Sequence, residues 1–140
     1  MSQVNDFNKG IIEEFRANKG AVGAFAGAPM VLLTTTGAKS GQKRVNPLAT
    51  LPEGDVLYVF ASKAGAPTNP DWYHNVVAHP EVEVEFGEER FDAIATPVTG
   101  PERDRIWEEQ KIKMPGFADY EKSTDRIIPV VELRRVETGT

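Results

Sequence analysis

Residues 30–48 read MVLLTTTGAKSGQKRVNPL. The first seven are apolar or β-branched, which is typical of a strand, and Gly37 opens a glycine-bounded loop that leads into a second extended run. Three basic residues lie in or beside this loop: Lys39, Lys43 and Arg44. No Asp or Glu occurs from residue 16 to residue 52, in a chain of net charge −5. A cationic loop with free N–H groups around Ser40 and Gly41 suits a small, multiply charged anion, so we predict a cofactor-phosphate site.

The composition is that of one ordinary globular domain. A chain of 140 residues can bury one core, and its hydrophobic and charged fractions are 40% and 26%. The absence of cysteine excludes disulfides, thiol nucleophiles and cysteine-ligated metals. The acidic net charge argues against a nucleic-acid partner. No signal-peptide pattern and no apolar run approaching the roughly 20 residues of a membrane span are present, so we expect a cytoplasmic protein.

Periodicity and the Gly/Pro punctuation predict the order of elements. Helices are predicted over residues 4–17, 70–78 and 100–114, with a short helix or turn over 117–123. Strands are predicted over 30–36, 43–51, 56–61, 81–86, 90–98 and 127–134. This order favours a mainly β, α+β domain, a small and mostly antiparallel barrel packed by helices. The single domain, 1–140, would comprise the N-terminal helix (1–17), a flexible apolar loop (18–29) and the barrel (30–134).

Some local predictions depend on a few residues. Asn69 is expected to cap a helix that starts at Pro70, and residues 52–55 to form a turn. The helix from residue 100 is expected to direct Ile106, Trp107 and Ile112 toward the core. Residues 81–86 read EVEVEF, so three carboxylates would lie on a solvated strand face rather than form a metal site.

Most kinds of catalytic site are excluded by the sequence. No Ser lies in a Gly-x-Ser-x-Gly elbow, and neither a dinucleotide-binding fingerprint nor a Walker loop occurs. His74 and His79 are the only histidines, and their spacing matches no usual metal-ligand pair, so we predict structural roles and no metal. An oxidoreductase with a bound organic cofactor remains, in which the protein supplies binding, orientation and electrostatics.

Other stretches supply the remaining parts of such a site. Pro47 removes one ladder N–H and therefore belongs at a strand edge or bulge, where a ligand can approach. Residues 60–63 bring small side chains and loop backbone. Trp72, Tyr73 and Asn75 add an indole, a phenol and an amide; each also has a structural reading, as a core residue, an edge residue and a turn cap.

The N-terminal segments have two readings each. The apolar loop 18–29 is either a surface connector or a pocket wall that brings Phe25 to a ligand. The first helix either packs on the core or contacts the inner membrane face through Phe7, Ile11 and Phe15. Its polar side carries acidic rather than basic residues, which favours packing on the core.

Four motifs occur in a fixed order along the chain. They are LTTTG-x-KSGQ-x-RVNPL over 33–48, ASK-x-GA over 61–66, NP-x-WY-x-N over 69–75 and DR-x-IP over 125–129. Together they resemble the deazaflavin-dependent nitroreductase family, actinobacterial split-barrel reductases that use coenzyme F420. The resemblance covers residues 29–131. It implies a split β-barrel of about six strands, of the FMN-binding split-barrel type, and hydride transfer from reduced F420 to a quinone, a nitroaromatic or an activated enone.

The resemblance also implies where the cofactor lies. Its phosphate and polyglutamate tail would explain a cationic loop in an acidic protein. The phosphate region would be held by Ala38, Lys39 and Ser40, beside the basic Lys43. The length and the ring would be lined by Arg44, Val45, Asn46, Pro47, Leu48, Ala49, Phe60, Ala61, Ser62 and Lys63. The pocket would be completed by Asp71, Trp72, Tyr73, His74 and Asn75.

The acceptor end departs from the family members that activate nitroimidazoles. Met114 and Phe117 stand where those members carry phenols, and only Tyr120 remains. Substrate contacts are therefore expected from Phe25, Met114, Phe117 and Tyr120, with Tyr120 either donating a proton to the reduced acceptor or only capping the pocket. Two alternatives stay open: an FMN-dependent oxidoreductase of the same fold, and a cofactor-binding protein without catalysis.

Overall fold

The computed structural model describes residues 3–17, 29–54, 56–61, 69–87, 89–124 and 127–136, with the side chains of the first helix described from Lys9 onward. Within these residues the helices are α1 (Gln3–Ala17), α2 (Asp71–Ala78), α3 (Gly100–Lys113) and α4 (Gly116–Lys122). The strands are β1 (Met30–Thr36), β2 (Lys43–Glu53), β3 (Val56–Phe60), β4 (Glu81–Phe86), β5 (Glu89–Val98) and β6 (Val130–Arg135).

The strands close into a barrel in the order β1-β2-β3-β6-β5-β4, and every pairing is antiparallel. This confirms the predicted barrel. Alternate side chains along each strand point inward, and the buried cluster inside the barrel is formed by apolar side chains. Val31, Leu33 and Val59 are 0% exposed inside the barrel, where Trp72 and Val76 of α2 join them. The helix α2 therefore forms part of the barrel core.

Strand β2 divides its length between two partners. Residues 43–49 pair with β1, and residues 50–53 pair with β3. Residues 43–49 have a second edge, facing away from β1, and no strand of the described residues pairs with it. Among the described residues, one edge of residues 43–49 is therefore unpaired, and this open edge of β2 positions the site.

Helices cover the outside of the barrel in two places. Ile11 (6% exposed) and Phe15 (1%) of α1 pack on Met30 and Leu32 of β1. This burial supports the core-packing reading of the first helix. On the other side, α3 and α4 contribute three buried side chains, Ile106, Trp107 and Phe117, which cover the outer face of β3.

The structure corrects some of the predicted boundaries. Strand β2 continues through Pro52 and Glu53, which pair with Leu57 and Val56, so the predicted turn at 52–55 is shorter. The last strand begins at Val130 instead of residue 127, because the Ile128 carbonyl accepts hydrogen bonds from Arg103 rather than from a strand.

Two predictions about helices are wrong. Pro70, not Asn69, occupies the N-cap position of α2, which has no side-chain cap hydrogen bond. Ile112 is 79% exposed, whereas Ile106 and Trp107 are buried as predicted. The reason is helical geometry, since six residues advance the side chain by about 240° around the axis.

Two of the three carboxylates on the acidic face of β4 form ion pairs with arginines. Glu85 binds Arg16 at 2.8 Å and Glu83 binds Arg90 at 2.6 Å, while Val82 and Val84 point into the core. No cluster of potential metal ligands occurs among the described residues. None of the helices in the described ranges is both long and apolar enough to cross a bilayer.

Candidate functional site

The loop between β1 and β2 is closed by its own backbone. The Gly37 N–H donates to the Gln42 carbonyl at 2.8 Å, and the Gly41 N–H donates to the Gly37 carbonyl at 3.0 Å. Gly41 has φ of 71°, which glycine adopts without steric cost. A Cβ on Gly37 would lie 2.5 Å from Ser40 Oγ. The two glycines are therefore what allows so tight a loop.

Backbone donors remain available in this loop. Within the described part of the chain, the N–H groups of Lys39 and Ser40 have no acceptor. The predicted contribution of the Gly41 amide is wrong, since that N–H is already bonded. Ser40 Oγ accepts a hydrogen bond from the Gln42 N–H at 3.2 Å, which leaves the hydroxyl hydrogen free for a ligand. The loop thus offers two amides and one hydroxyl to an anion.

The predicted cations surround these donors. Lys43 Nζ donates to Thr36 Oγ1 at 3.0 Å, and an Arg44 amino group donates to Gln42 Oε1 at 3.4 Å. Among the residues described, neither these two nor Lys39 forms an ion pair. All three side chains belong to exposed residues. Their positive charge is therefore uncompensated and available to a ligand.

A cleft of about 1080 Å³ connects the loop to two helices. Its floor is the loop and the start of β2, and its walls come from α1 on one side and α2 on the other. The helical lining residues are Lys9, Ile12, Asp71, Trp72, His74 and Asn75. The cleft therefore brings together the predicted groups at 38–46 and 71–75, which are distant in sequence.

The cleft lies along the open edge of β2. The Thr50 N–H donates to the Pro29 carbonyl, in register with the β1–β2 pairs. Because hydrogen-bonded pairs alternate in an antiparallel ladder, residues 44, 46 and 48 direct their backbone groups toward β1. Lys43, Val45 and Pro47 direct theirs to the open edge. Pro47 therefore lacks its N–H on the edge where no described strand pairs with it, which agrees with the expected edge position.

The side chains of α2 fall into two sets. Trp72 (4% exposed) and Asn75 (7%) are buried, whereas Asp71 and His74 are exposed at the cleft. Tyr73 is half-buried, packs on the barrel core and meets the Trp72 ring edge-on at 6.4 Å. Trp72 is therefore a core residue that also lines the cleft.

The residues predicted for the acceptor end form a separate aromatic cluster. Phe117 packs on Phe60 and Trp107, with ring centroids 5.7 Å and 6.0 Å away, and Tyr120 lies 5.3 Å from Phe117. Phe117 is only 7% exposed, while Met114 and Tyr120 are partly exposed at the margin. Tyr120 therefore has more surface than Phe117 for contact with a ligand.

Strand β2 links the two regions. Leu48 packs on the barrel core together with Ala61, and Asn46 lines the cleft. Ala49 lies three residues beyond Asn46, which is about 10 Å at the usual strand rise. It packs on the aromatic cluster. The odd spacing places Asn46 and Ala49 on opposite faces of β2.

A carboxylate anchors α4 to α3 beneath this cluster. Glu121 accepts hydrogen bonds from Trp107 Nε1 at 2.6 Å and from Lys111 Nζ at 3.1 Å. Burial acts to raise the pKa of Glu121, but the hydrogen bonds from Lys111 and Trp107 outweigh it and lower the pKa. Glu121 therefore stays ionised and holds the helix that carries Tyr120.

Some predicted residues cannot be placed, and two others were missed. Ser62, Lys63 and Phe25 lie outside the described residues. Lys9 and Ile12 line the cleft but were assigned only to a packing helix. Their spacing of three places them on one helix face, which is the signal that could have grouped them.

Comparisons with known proteins identify the family. Residues 9–135 match the family model described as F420H(2)-dependent quinone reductase. An F420H(2)-dependent quinone reductase of Mycobacterium tuberculosis is 40% identical over 126 residues, which cover 86% of this chain and 85% of that protein.

Solved structures agree with this match. An F420-H2 dependent reductase, FDR-A, superposes with a TM-score of 0.70 at 43% identity, over 76% of this chain and 94% of that one. A protein solved as a domain-swapped dimer gives a TM-score of 0.71 at 36% identity, over 94% of this chain and all of the other.

The barrel and these matches define an oxidoreductase of the split-barrel class. The chain belongs to the F420H(2)-dependent quinone reductase family. The resemblance drawn from the sequence therefore identified the cofactor-dependent group, but the matching family is named for quinone reduction rather than nitroreduction.

Proposed function

We propose that this protein transfers a hydride from reduced coenzyme F420 to a quinone. The family model and the relative from M. tuberculosis carry that activity in their names. The observation that carries the proposal at the level of residues is the group of free donors at 39–44, uncompensated cations beside two unbonded amides.

The residues present fit such a cofactor. Its phosphate and acidic tail need cations and N–H donors, and the cleft supplies Lys9, Lys39, Lys43 and Arg44 against a single acid, Asp71. Charge-assisted hydrogen bonds of this kind are among the stronger contacts that proteins make. The open edge of β2 adds backbone groups along a path long enough for an extended molecule.

The chemistry of the reaction belongs to the cofactor. When bound, reduced F420 would supply a hydride and a proton, which convert a quinone to the hydroquinone. The chain's residues bind the anionic end at the loop, hold the molecule along β2 and orient the acceptor. None of these steps needs a nucleophile or a metal ligand.

The acceptor is proposed to lie near the aromatic cluster. Tyr120, half-buried on α4, is the residue proposed to touch the acceptor and to donate a proton to its reduced oxygen. Phe117 is proposed to support the Tyr120 ring from below, because its own surface is nearly all covered. Met114 completes the margin of this region.

The proposed compartment is the cytoplasm. Ile11 and Phe15 are buried against β1, so they are committed to the core rather than free to enter a membrane face. Co-sedimentation with anionic vesicles tests this point. Protein that stays in the supernatant agrees with a first helix committed to the core, and protein in the pellet would indicate contact with the membrane face instead.

A binding and turnover experiment tests the function. Purified protein is titrated with F420 and with FMN, and reduced F420 is then offered with a naphthoquinone, a nitroaromatic and an enone. We expect tight binding of F420 and turnover of the quinone. Lys39→Ala should weaken F420 binding about tenfold, the loss of one charge-assisted contact, whereas Lys113→Ala on the distant helix α3 serves as the control.

Other outcomes of this experiment would assign a different function to the protein. Tight binding of FMN without F420 binding would make it a flavin oxidoreductase. Binding of F420 without turnover of any acceptor would make it a cofactor-binding protein.

A further inference from the structure

Asn75 is buried in the wall of the cleft and bonded at both ends of its side chain. Its Oδ1 accepts a hydrogen bond from the Ala38 N–H at 2.9 Å, and its Nδ2 donates to Thr35 Oγ1 at 3.1 Å. A backbone N–H can only donate, so the amide orientation is fixed by Ala38. Asn75 is only 7% exposed. Each polar atom of its side chain thus has one partner within the protein.

The two partners of Asn75 lie on either side of the entry to the loop. Thr35 is the last but one residue of β1 and is fully buried, and Ala38 is the second residue of the loop. A helix 37 positions away in sequence therefore joins the strand end to the loop. The Gly37 N–H donates to the Gln42 carbonyl and closes the loop at its base. The next amide, that of Ala38, is fixed by its hydrogen bond to Asn75.

We propose that Asn75 is a positioning residue for the anion-binding loop. By engaging the Ala38 N–H, it holds the loop so that the next two amides, those of Lys39 and Ser40, are the donors left for an anion. This assigns the Asn75 side chain a different role from the direct cofactor contact that the sequence implied. The inference rests on the proposed function only for the identity of the anion.

The chemistry of Asn75 suggests two informative variants. Asn75→Ala removes the acceptor, so the Ala38 N–H is released and the loop gains conformational freedom. Asn75→Asp keeps an oxygen for the Ala38 N–H, and its second oxygen can accept from the Thr35 hydroxyl. The added negative charge nevertheless lies beside the proposed anion, so binding should weaken while the loop stays in place.

Hydrogen exchange and kinetics together test the proposal. Exchange of the Ala38 amide is measured by NMR, F420 affinity by titration, and kcat and KM for reduced F420 with a naphthoquinone. In Asn75→Ala we expect faster Ala38 exchange, F420 binding weaker by about tenfold, the typical effect of one lost hydrogen bond, and kcat within about twofold. Asn75→Asp should retain Ala38 protection while still binding F420 more weakly than the unmodified protein.

Val76→Ala is the matched control, because Val76 is the next residue of α2 and is 1% exposed in the barrel core. It should destabilise the protein without a selective rise in Ala38 exchange. Slow Ala38 exchange in Asn75→Ala would overturn the inference, and so would unchanged F420 affinity despite a loosened loop. If the loop loosens but even the unmodified protein binds no F420, the positioning role stands and the proposed function fails.

Discussion

Replacing Glu121 with alanine should destabilise the protein through one buried donor. Trp107 is 1% exposed, and its indole N–H donates to Glu121 Oε2 at 2.6 Å. Without the carboxylate, this N–H would be left in the contact between α3 and α4 with no acceptor. The prediction concerns the anchoring of α4, the helix on which Tyr120 and Phe117 lie.

The magnitude follows from the two hydrogen bonds that are lost. A buried donor without an acceptor costs about 1–3 kcal/mol. The contact with Lys111 adds well under about 1 kcal/mol because it is an exposed ion pair, and Lys111 keeps its partner Glu108 at 2.8 Å. We therefore expect Glu121→Ala to lower the free energy of unfolding by about 2 kcal/mol, or the melting temperature by about 7 °C.

Urea unfolding with two companion variants is the assay. Glu121→Gln keeps an oxygen for the indole and should lose only about 1 kcal/mol. Glu109→Ala is the control, since Glu109 makes only exposed contacts at 3.7 Å and 3.9 Å, and it should stay within about 0.5 kcal/mol of the unmodified protein. If Glu121→Ala is as stable as Glu109→Ala with an unchanged m-value, the reasoning about the buried indole is wrong.

Other predictions concern the helices and pH. Phe15→Ala should cost about 3–4 kcal/mol in urea unfolding because it opens a cavity beneath α1; a loss below about 1 kcal/mol would contradict core packing of that helix. Ile112→Asn should change stability by less than about 0.5 kcal/mol, since its side chain is 79% exposed. The hydrogen bond from Arg105 lowers the pKa of Glu53, so its contribution is present above the ordinary carboxyl pKa and is lost as pH falls through the lowered value. Glu53→Gln should therefore flatten the fall of melting temperature in acid, and an unchanged acid slope would argue against this pair.

The strands were predictable where local pattern and burial agree. Residues 81–86 alternate strictly, and the structure has a strand over exactly that range with Val82 and Val84 buried. Pro80 marks the end of α2 as the sequence indicated. In these segments the side-chain period alone identifies the face that must be buried.

Boundaries set by distant partners were not predictable. Pro52 looked like a turn residue, but pairing with Leu57 continues the strand through it. The start of β6 depends on Arg103, which takes the Ile128 carbonyl from 25 positions away. Local sequence contains no signal for such contacts.

The site was predictable in its parts but not in its connections. The basic loop and the motif at 69–75 could be identified from the sequence, and the structure brings them to one cleft. The hydrogen bond from the Ala38 N–H to Asn75 Oδ1 and the wall formed by Lys9 could not, because both depend on how α1 and α2 pack on the barrel.

The steady-state oxidation of reduced F420 by a naphthoquinone tests the central claim most directly, with the unmodified protein compared with Arg44→Ala. We predict turnover by both proteins, with KM for reduced F420 raised about tenfold in the variant, as for one lost charged contact, and kcat within about twofold. A variant with unchanged KM, or an unmodified protein without quinone-dependent turnover, would contradict the account.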